Sequence, residues 1–401
     1  MAVPNLKSAF SPLKLKDYRL LWLGLFVSNT GSWMQSAAQA WLVYRLTGST
    51  VYLSLIPVCQ ALPRIVFSAV GGAVADRYNR RLLLYGTQCL MAACAGILGV
   101  ATTLGVVRVW MVLLLATVSS LGMAFDAPAR QSLLPQLVPR EEVPKAVALH
   151  SMTFNGSAIF GPSIAGLVLD VLGADWCFYL NALSFLAVIV AIRLMEFPPH
   201  QPASDNGSIV GNLAEAVAVV WDSPRLLLTM IYVTVVVFFG RPYNQLMAAF
   251  ADTVLHAGAR GYGLLMAAPG VGMLAGLTAV ALVGSYPGKG RKIQLGTVCF
   301  ALALIAFSWS RSLYLCLMWL VVVGFFEGFT LAVGQTILQI SVPDDVRGRI
   351  LGLYGTMTMG IGPLGSLLAG AVSSRTGVPL ALSGGGAVIL LFVLVSSACC
   401  Q

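Results

Sequence analysis

Among the ionisable residues within long apolar runs of this chain, four are candidates for chemistry: Arg64, Asp126, Arg241 and Glu327. A charge at the centre of a membrane-spanning helix costs roughly 2.5–3.5 kcal/mol on insertion scales, so each of these groups needs a partner or a task. Glu327 lies between Phe326 and Gly328 in the run from Leu313 to Val333. About fifteen helical residues precede it and roughly ten follow, which puts it well inside the span. Burial disfavours the charged form of a carboxylate, and a guanidinium or water brought near restores it. That is the chemistry of a proton carrier. Arg241, with Asn244 and Gln245 a turn later, is the candidate cation. A fixed Glu327–Arg241 pair joining two helices is the structural alternative. Ser28, Ser32, Gln35 and Gln39 recur at spacings of four, three and four, which is one helical face. They fit either a polar substrate surface or hydrogen-bonding glue between helices. Arg64 follows Pro63 and can satisfy carbonyls freed by a kink, or pair with a helix-end carboxylate.

Enzyme chemistry finds less support. His150, His200 and His256 are far apart, and no nucleophile–base set, metal cluster or phosphate loop is visible. The eight cysteines are scattered without metal-ligand spacing and read as small buried apolar residues. Neither a metal nor another cofactor is expected. A sensor would carry an appended soluble domain, and none is evident.

The elements that must position these residues are long helices. Of the 401 residues, 58% are hydrophobic and 10% charged, against roughly 25% charged in soluble chains. Twelve apolar runs are each long enough to cross a bilayer: Leu20 to Leu46, Val51 to Ala75, Leu82 to Val107, Val109 to Pro128, Ala146 to Leu172, Trp176 to Met195, Leu226 to Phe250, Tyr262 to Gly284, Ile293 to Trp309, Leu313 to Ile340, Ile350 to Val372 and Pro379 to Cys399. Barrel strands would be shorter and alternate in polarity. The net charge of +9 is unevenly placed. Lys14, Lys16, Arg77, Arg80, Arg81, Arg130, Arg140, Lys289, Arg291, Arg347 and Arg349 fall on one side, whereas Arg45, Arg108, Arg260, Arg311 and Arg375 fall one per loop on the other. The positive-inside rule then places both termini in the cytoplasm. No basic patch on a soluble domain suggests nucleic acid.

The chain divides near its middle. Glu196 to Asp222 holds Pro198, Pro199 and Pro202 and then a polar stretch, with Leu213, Val217 and Val220 on one stripe of a short interfacial helix. The expected organisation is a six-helix bundle at 1–197, a cytoplasmic loop at 198–224 and a second bundle at 225–401. The halves repeat: Gln131-Ser-Leu-Leu with Val138-Pro139 parallels Gln335-Thr-Ile-Leu with Val342-Pro343, and Gly161-Pro162 parallels Gly362-Pro363. Parallel six-helix repeats are the architecture of a large transporter class. The fold class is therefore all-α integral membrane, with twelve transmembrane helices in two pseudo-symmetric six-helix bundles.

Between the second and third runs the sequence reads Gly72-Ala-Val-Ala-Asp76-Arg77-Tyr-Asn-Arg80-Arg81. This resembles the signature loop of the major facilitator superfamily, Gly-x-x-x-Asp-Arg-x-Gly-Arg-Arg/Lys, with Asn79 where the family has glycine. Asn tolerates a left-handed backbone, so the turn should be kept. Gly72 should allow close helix packing. Trp33-Met34-Gln35, Phe125-Asp126-Ala-Pro128-Ala-Arg130-Gln131, Phe154-Asn155, Gly161-Pro162 with Gly166, and Val346-Arg347-Gly348-Arg349 are similar to the branch containing the enterobactin exporter and drug–proton antiporters. Ser157 and Ala165 stand where the helix-five antiporter motif has glycines, and Val118 stands near the position of an arginine that many drug antiporters carry.

The resemblance implies a conformational latch from Gly72, Asp76, Arg77, Arg80 and Arg81, with Asp126 as a partner of Arg80 or Arg77. It implies a packing motif at Gly161, Pro162 and Gly166. It also implies that helices one, four, seven and ten line a cavity, and Glu327, Arg241, Asn244, Gln35 and Gln39 fall on that set; Asn155 and Arg64, on other helices, are further coupling or cavity candidates. The implied activity is proton-coupled export of a small amphipathic molecule by alternating access, by a functional monomer in the bacterial inner membrane. Uptake or lipid translocation is the alternative on the same fold.

Overall fold

The computed structural model describes residues 10–196, 217–283, 289–342 and 344–399. These are almost wholly helical. Twelve long helices run in order: α1 (Lys16–Thr47), α2 (Thr50–Arg77), α3 (Arg80–Thr103), α4 (Val109–Leu133), α5 (Val143–Val171), α6 (Ala174–Leu194), α7 (Pro224–Val235 and Pro242–Thr253, joined by a π turn), α8 (Gly258–Val283), α9 (Lys289–Trp309), α10 (Leu313–Ser341), α11 (Asp344–Thr376) and α12 (Val378–Cys399). Eleven of them are long and apolar enough to cross a membrane by length and composition. The exception is α1. Its 32 residues are ample in length, and its polar face lowers its mean hydropathy.

The helices outrun the apolar sequence at several ends. α11 starts six residues before Ile350, and α2 carries Asp76 and Arg77 in its last turn. Polar residues at a membrane surface can continue a helix without being apolar, so hydropathy truncates such ends. Links are short where glycine takes a left-handed turn, as at Gly48 (φ +61) between α1 and α2 and Gly377 (φ +86) between α11 and α12. A helical stretch at 217–222 precedes α7, with Val220 packed against Leu226, Met230 and Leu338. Leu213 and the rest of 197–216 lie outside the described residues.

The chain forms two compact units, Met1–Leu42 with Cys59–Asp205, and Val43–Val58 with Asn206–Gln401. The second unit thus takes in the tips of α1 and α2, which the expected boundary at 197 assigns to the first bundle. Their attachment is polar and close. Thr50 Oγ1 donates to the Gly370 carbonyl at 2.9 Å, Gln245 Nε2 donates to the Leu53 carbonyl at 2.6 Å, and Arg45 pairs with Asp252 at 3.7 Å. In the first unit Leu21, Leu25, Leu84, Leu133, Val188 and Ile192 form an apolar core. Many large apolar side chains face outward, such as Leu172, Leu282, Leu391 and Leu394, as lipid-solvated helices require.

Candidate functional site

The second unit holds the membrane-embedded charge pair. α7 is interrupted by a π turn at Val236–Gly240, immediately before Arg241 and Pro242. Pro242 has no N–H to donate to the carbonyl four residues back, Phe238, and its ring crowds that oxygen. One extra residue in the turn relieves the conflict, and Arg241 N–H bonds to the Val236 carbonyl at 3.3 Å. The neighbouring helices are cut to fit. A Cβ at Gly365 of α11 would strike the Phe238 carbonyl, and one at Gly385 of α12 would strike the Phe239 carbonyl. The Phe300 ring of α9 lies over Gly240.

Arg241 so placed reaches α10. Its Nε donates to Glu327 Oε1 at 2.7 Å, and Tyr243 Oη donates to Glu327 Oε2 at 2.9 Å. Glu327 is 2% exposed and the Arg241 side chain 38%. Tyr354 of α11 donates to the Leu331 carbonyl at 3.2 Å. α10 is itself fixed by a glycine seam with α8. Gly272 and Gly276 on α8 face the Val321 and Phe325 carbonyls, and Gly324 and Gly328 on α10 face the Pro269 and Met273 carbonyls. Spacing of four puts each glycine pair on one face and lets the backbones touch. The pair expected between Glu327 and Arg241 is therefore present. Tyr243 was not anticipated, because Pro242 between it and Arg241 hid the change of helical register that brings both side chains to one carboxylate. Asn244 and Gln245 are half-buried, and Gln245 is engaged with Leu53 rather than with the pair.

In the first unit, Asp126 is fully buried near the end of α4, not at a surface. It is ion-paired with Arg130 one turn on, accepts from Thr87 Oγ1 at 3.0 Å and accepts from Gln88 Nε2 at 2.7 Å. The expectation of Arg80 or Arg77 as its partner is corrected: a buried carboxylate takes the nearest buried donors, and these come from α3 and its own helix. Arg80 Nε donates to the Ala75 carbonyl and Arg81 to the Arg193 carbonyl. The side chain of Asp76 lies outside the described residues, and Arg77 is exposed.

Two further details of the signature loop differ from the expectation. Gly71, not Gly72, is the close-packing glycine, since a Cβ there would strike the Ala124 carbonyl, whereas Gly72 faces open space. Asn79 is extended (φ −61, ψ 109), not left-handed. Its Oδ1 accepts from Arg81 N–H at 2.9 Å and so caps α3. An N-cap amide and a left-handed glycine are different solutions to the same tight connection.

The packing motif of α5 is closed as expected. A Cβ at Gly161 would meet Trp33 Cβ at 2.5 Å and the Thr30 carbonyl at 2.8 Å, while Pro162, Ala165 and Gly166 are buried. Ser157, in a glycine's place, accepts from Thr30 Oγ1 at 3.1 Å. The polar face of α1 packs on α6: Gln35 accepts from Asn181 Nδ2 at 2.7 Å, Gln39 is buried, and Gly31 makes room for Asn181 and Ser184. Here the glue reading fits better than the cavity reading. Asn155 is half-buried and donates to the Ser151 carbonyl of its own helix at 2.9 Å. Arg64 donates to Ser120 Oγ at 2.9 Å, and that hydroxyl donates to the Gln60 carbonyl. It therefore braces α2 against α4 through a serine instead of a carboxylate. Among the described residues six cysteines are free: Cys94, Cys177 and Cys316 are buried as expected, Cys59 and Cys299 are half-buried and Cys89 is exposed. Among the described residues no group of His, Cys, Asp and Glu could hold a metal.

The chain, with twelve long helices among its described residues, a basic signature between α2 and α3 and a charge pair within its second unit, matches a family model over residues 7–400, that of the transmembrane secretion effectors. The chain belongs to this branch of the major facilitator superfamily. It is thus a membrane transporter, in a family of transporters and not of enzymes. It is similar to the multidrug efflux pump Tap of Mycolicibacterium fortuitum, with 24% identity over 369 residues and 90% of each chain covered. Macrolide efflux protein A of Streptococcus pyogenes is 24% identical over 377 residues, covering 91% of each chain. The staphyloferrin A transporter of Staphylococcus aureus is 24% identical over 358 residues, covering 88% of each. Among solved structures, the nucleoside transporter NupG superposes with a TM-score of 0.74 at 15% identity, covering 94% of this chain and 98% of that one. At that identity the likeness shows the fold alone.

Proposed function

We propose that this transporter is a proton-coupled exporter of small amphipathic molecules, working by alternating access as a monomer in the bacterial inner membrane, with both termini in the cytoplasm. The observation that carries the coupling is the carboxylate of Glu327, buried within a spanning helix and held by two donors, one of them on a partly exposed arginine. Protonation removes the charge that anchors Arg241, so it creates two states of one element, which a transport cycle can bias differently from the two sides. Export is supported by the similarity to a multidrug efflux pump and a macrolide efflux protein, and the orientation by the basic residues on one side of the helices.

The signature residues Gly72, Asp76, Arg77, Arg80 and Arg81 act as a conformational latch, with the Asp126–Arg130 pair stiffening the adjoining end of α4. Gly161, Pro162 and Gly166 form a packing seam against α1. Lipid solvates the outward apolar faces, and neither nucleic acid nor a cofactor is a partner. Flux measurements in inverted membrane vesicles test the reading, using a panel of drugs and siderophores with and without an imposed pH gradient. Inward flux into such vesicles that responds to the gradient is the expected result. Flux indifferent to the gradient would overturn the coupling, and flux only in right-side-out vesicles would replace export by uptake.

A further inference from the structure

The atoms that Arg241 does and does not use say more about the substrate, provided Glu327 is the coupling group proposed above. Nε–H of Arg241 is taken by Glu327. Among the described residues no acceptor takes a hydrogen bond from Nη1 or Nη2, and the side chain is 38% exposed while its partner is 2% exposed. A guanidinium open in the middle of a spanning helix must face water, because hydrocarbon offers its donors nothing. The second unit therefore presents a planar pair of amino groups to an aqueous space. That edge takes a carboxylate, or another oxyanion, through two parallel hydrogen bonds. A narrow crevice nearby is lined by Val233, Val237 and Met357 together with Thr234, Tyr354 and Thr358, so it offers both apolar and hydroxyl surface.

We infer that this wall binds the anionic head of an amphipathic organic acid, and that the anion on Arg241 and a proton on Glu327 favour each other. With Glu327 ionised, an incoming anion meets a neutral pair with a carboxylate behind it. With Glu327 protonated, the same site carries one positive charge. Linkage makes the effect mutual: if the proton tightens the anion, the anion tightens the proton. The other titratable groups facing the pair are Tyr243 from α7 and Tyr354 from α11. Phenols are neutral at physiological pH, so the carboxyl group of Glu327 is where an added proton would alter the charge beside Arg241. The acid then leaves together with its proton, without net charge movement, down its own outward gradient. This sign is opposite to the exchange that the drug–proton antiporter resemblance implies.

Equilibrium binding to the purified full chain in lipid nanodiscs tests the inference, with naphthoate, naphthalenesulfonate and naphthamide as probes sharing one apolar body. Naphthoate should bind more tightly at about pH 5.5 than at about pH 8, and at about pH 8 it should bind about tenfold more tightly to Glu327→Gln than to the wild-type chain, a coupling of ordinary size. The sulfonate is anionic throughout, so an equal tightening assigns the titration to the protein. Tightening of only one of the two anions separates planar from tetrahedral heads. The neutral amide should bind weakly and without pH dependence. Glu327→Gln should bind naphthoate tightly at both pH values, and Arg241→Lys, which keeps the charge and loses the fork, should bind it about tenfold more weakly. Naphthamide binding as well as naphthoate, or naphthoate affinity at about pH 8 no tighter in a folded Glu327→Gln protein than in wild type, would overturn the inference. Vesicle flux separates this from the broader reading. Gradient response lost in Glu327→Gln with no preference for anions retains the coupling and removes the anion site. Anion preference with the gradient response intact in Glu327→Gln does the reverse.

Discussion

Replacing Gly324 by alanine should destabilise the protein, although alanine is the better helix former. A Cβ at 324 would sit against the backbone of Pro269 in α8, with the carbonyl carbon at 2.6 Å, the Cα at 2.7 Å and the carbonyl oxygen closer still. Backbone cannot rotate aside as the end of a side chain can, so α8 and α10 must separate. Overpacking of this kind costs about 1–3 kcal/mol. Gly352→Ala on α11 is the control, because nothing lies within 4 Å of its would-be Cβ. Both variants gain about 1 kcal/mol of helix propensity. Their difference isolates the overpacking, so Gly324→Ala should be less stable than Gly352→Ala by about 1–3 kcal/mol. Thermal unfolding in detergent reads that difference. Transport should fall in Gly324→Ala as well, since Glu327 lies one turn on and its 2.7 Å bond to Arg241 depends on where α10 sits. Equal unfolding temperatures for the two variants would refute the seam argument.

Gly71→Ala should lower yield and stability by forcing a methyl group onto the Ala124 carbonyl, while Gly72→Ala folds like the parent; comparable yields of folded protein would undo the reassignment. Asp126→Ala leaves Arg130 buried without its carboxylate and should cost about 3–5 kcal/mol, measured by chemical unfolding. Removing both charges in Asp126→Ala/Arg130→Ala should recover part of that loss, and no recovery would mean that Thr87 and Gln88 carry the cluster. Reporter fusions after Arg81, Asn206 and Gly290 should read cytoplasm and those near Ala174 and Ala259 the exterior; an exterior signal at Asn206 would contradict the arrangement in two halves.

Much of this was legible in the sequence, for physical reasons that also explain what was not. Lipid as solvent leaves long apolar runs, so twelve helices could be counted. The exception in composition, α1, was found because its length compensates for its polar face. Glu327 and Arg241 stood out because charge is rare inside such runs, and they do pair. Tyr243 did not stand out, because an aromatic residue in an apolar helix carries no signal, and the π turn that aims it comes from the combination of Pro242 with glycines on α11 and α12. The Gly71-for-Gly72 error has the same origin: two adjacent glycines look alike until the carbonyl of Ala124 is placed beside one of them. Asp126 was assigned the wrong partner because Arg130 counted as a loop cation, when in fact α4 runs to Leu133 and takes Arg130 inside. The tips of α1 and α2 belong with the second unit through three polar contacts that no periodicity in the sequence announces.

The most direct test of the central claim is proton movement in proteoliposomes loaded with a pH-sensitive dye, with substrate flux from the drug and siderophore panel followed in the same samples. The wild-type transporter should move protons whenever substrate moves, and a folded Glu327→Gln variant should bind substrate yet move none. Proton movement in Glu327→Gln equal to wild type would contradict the account and take Glu327 out of the coupling.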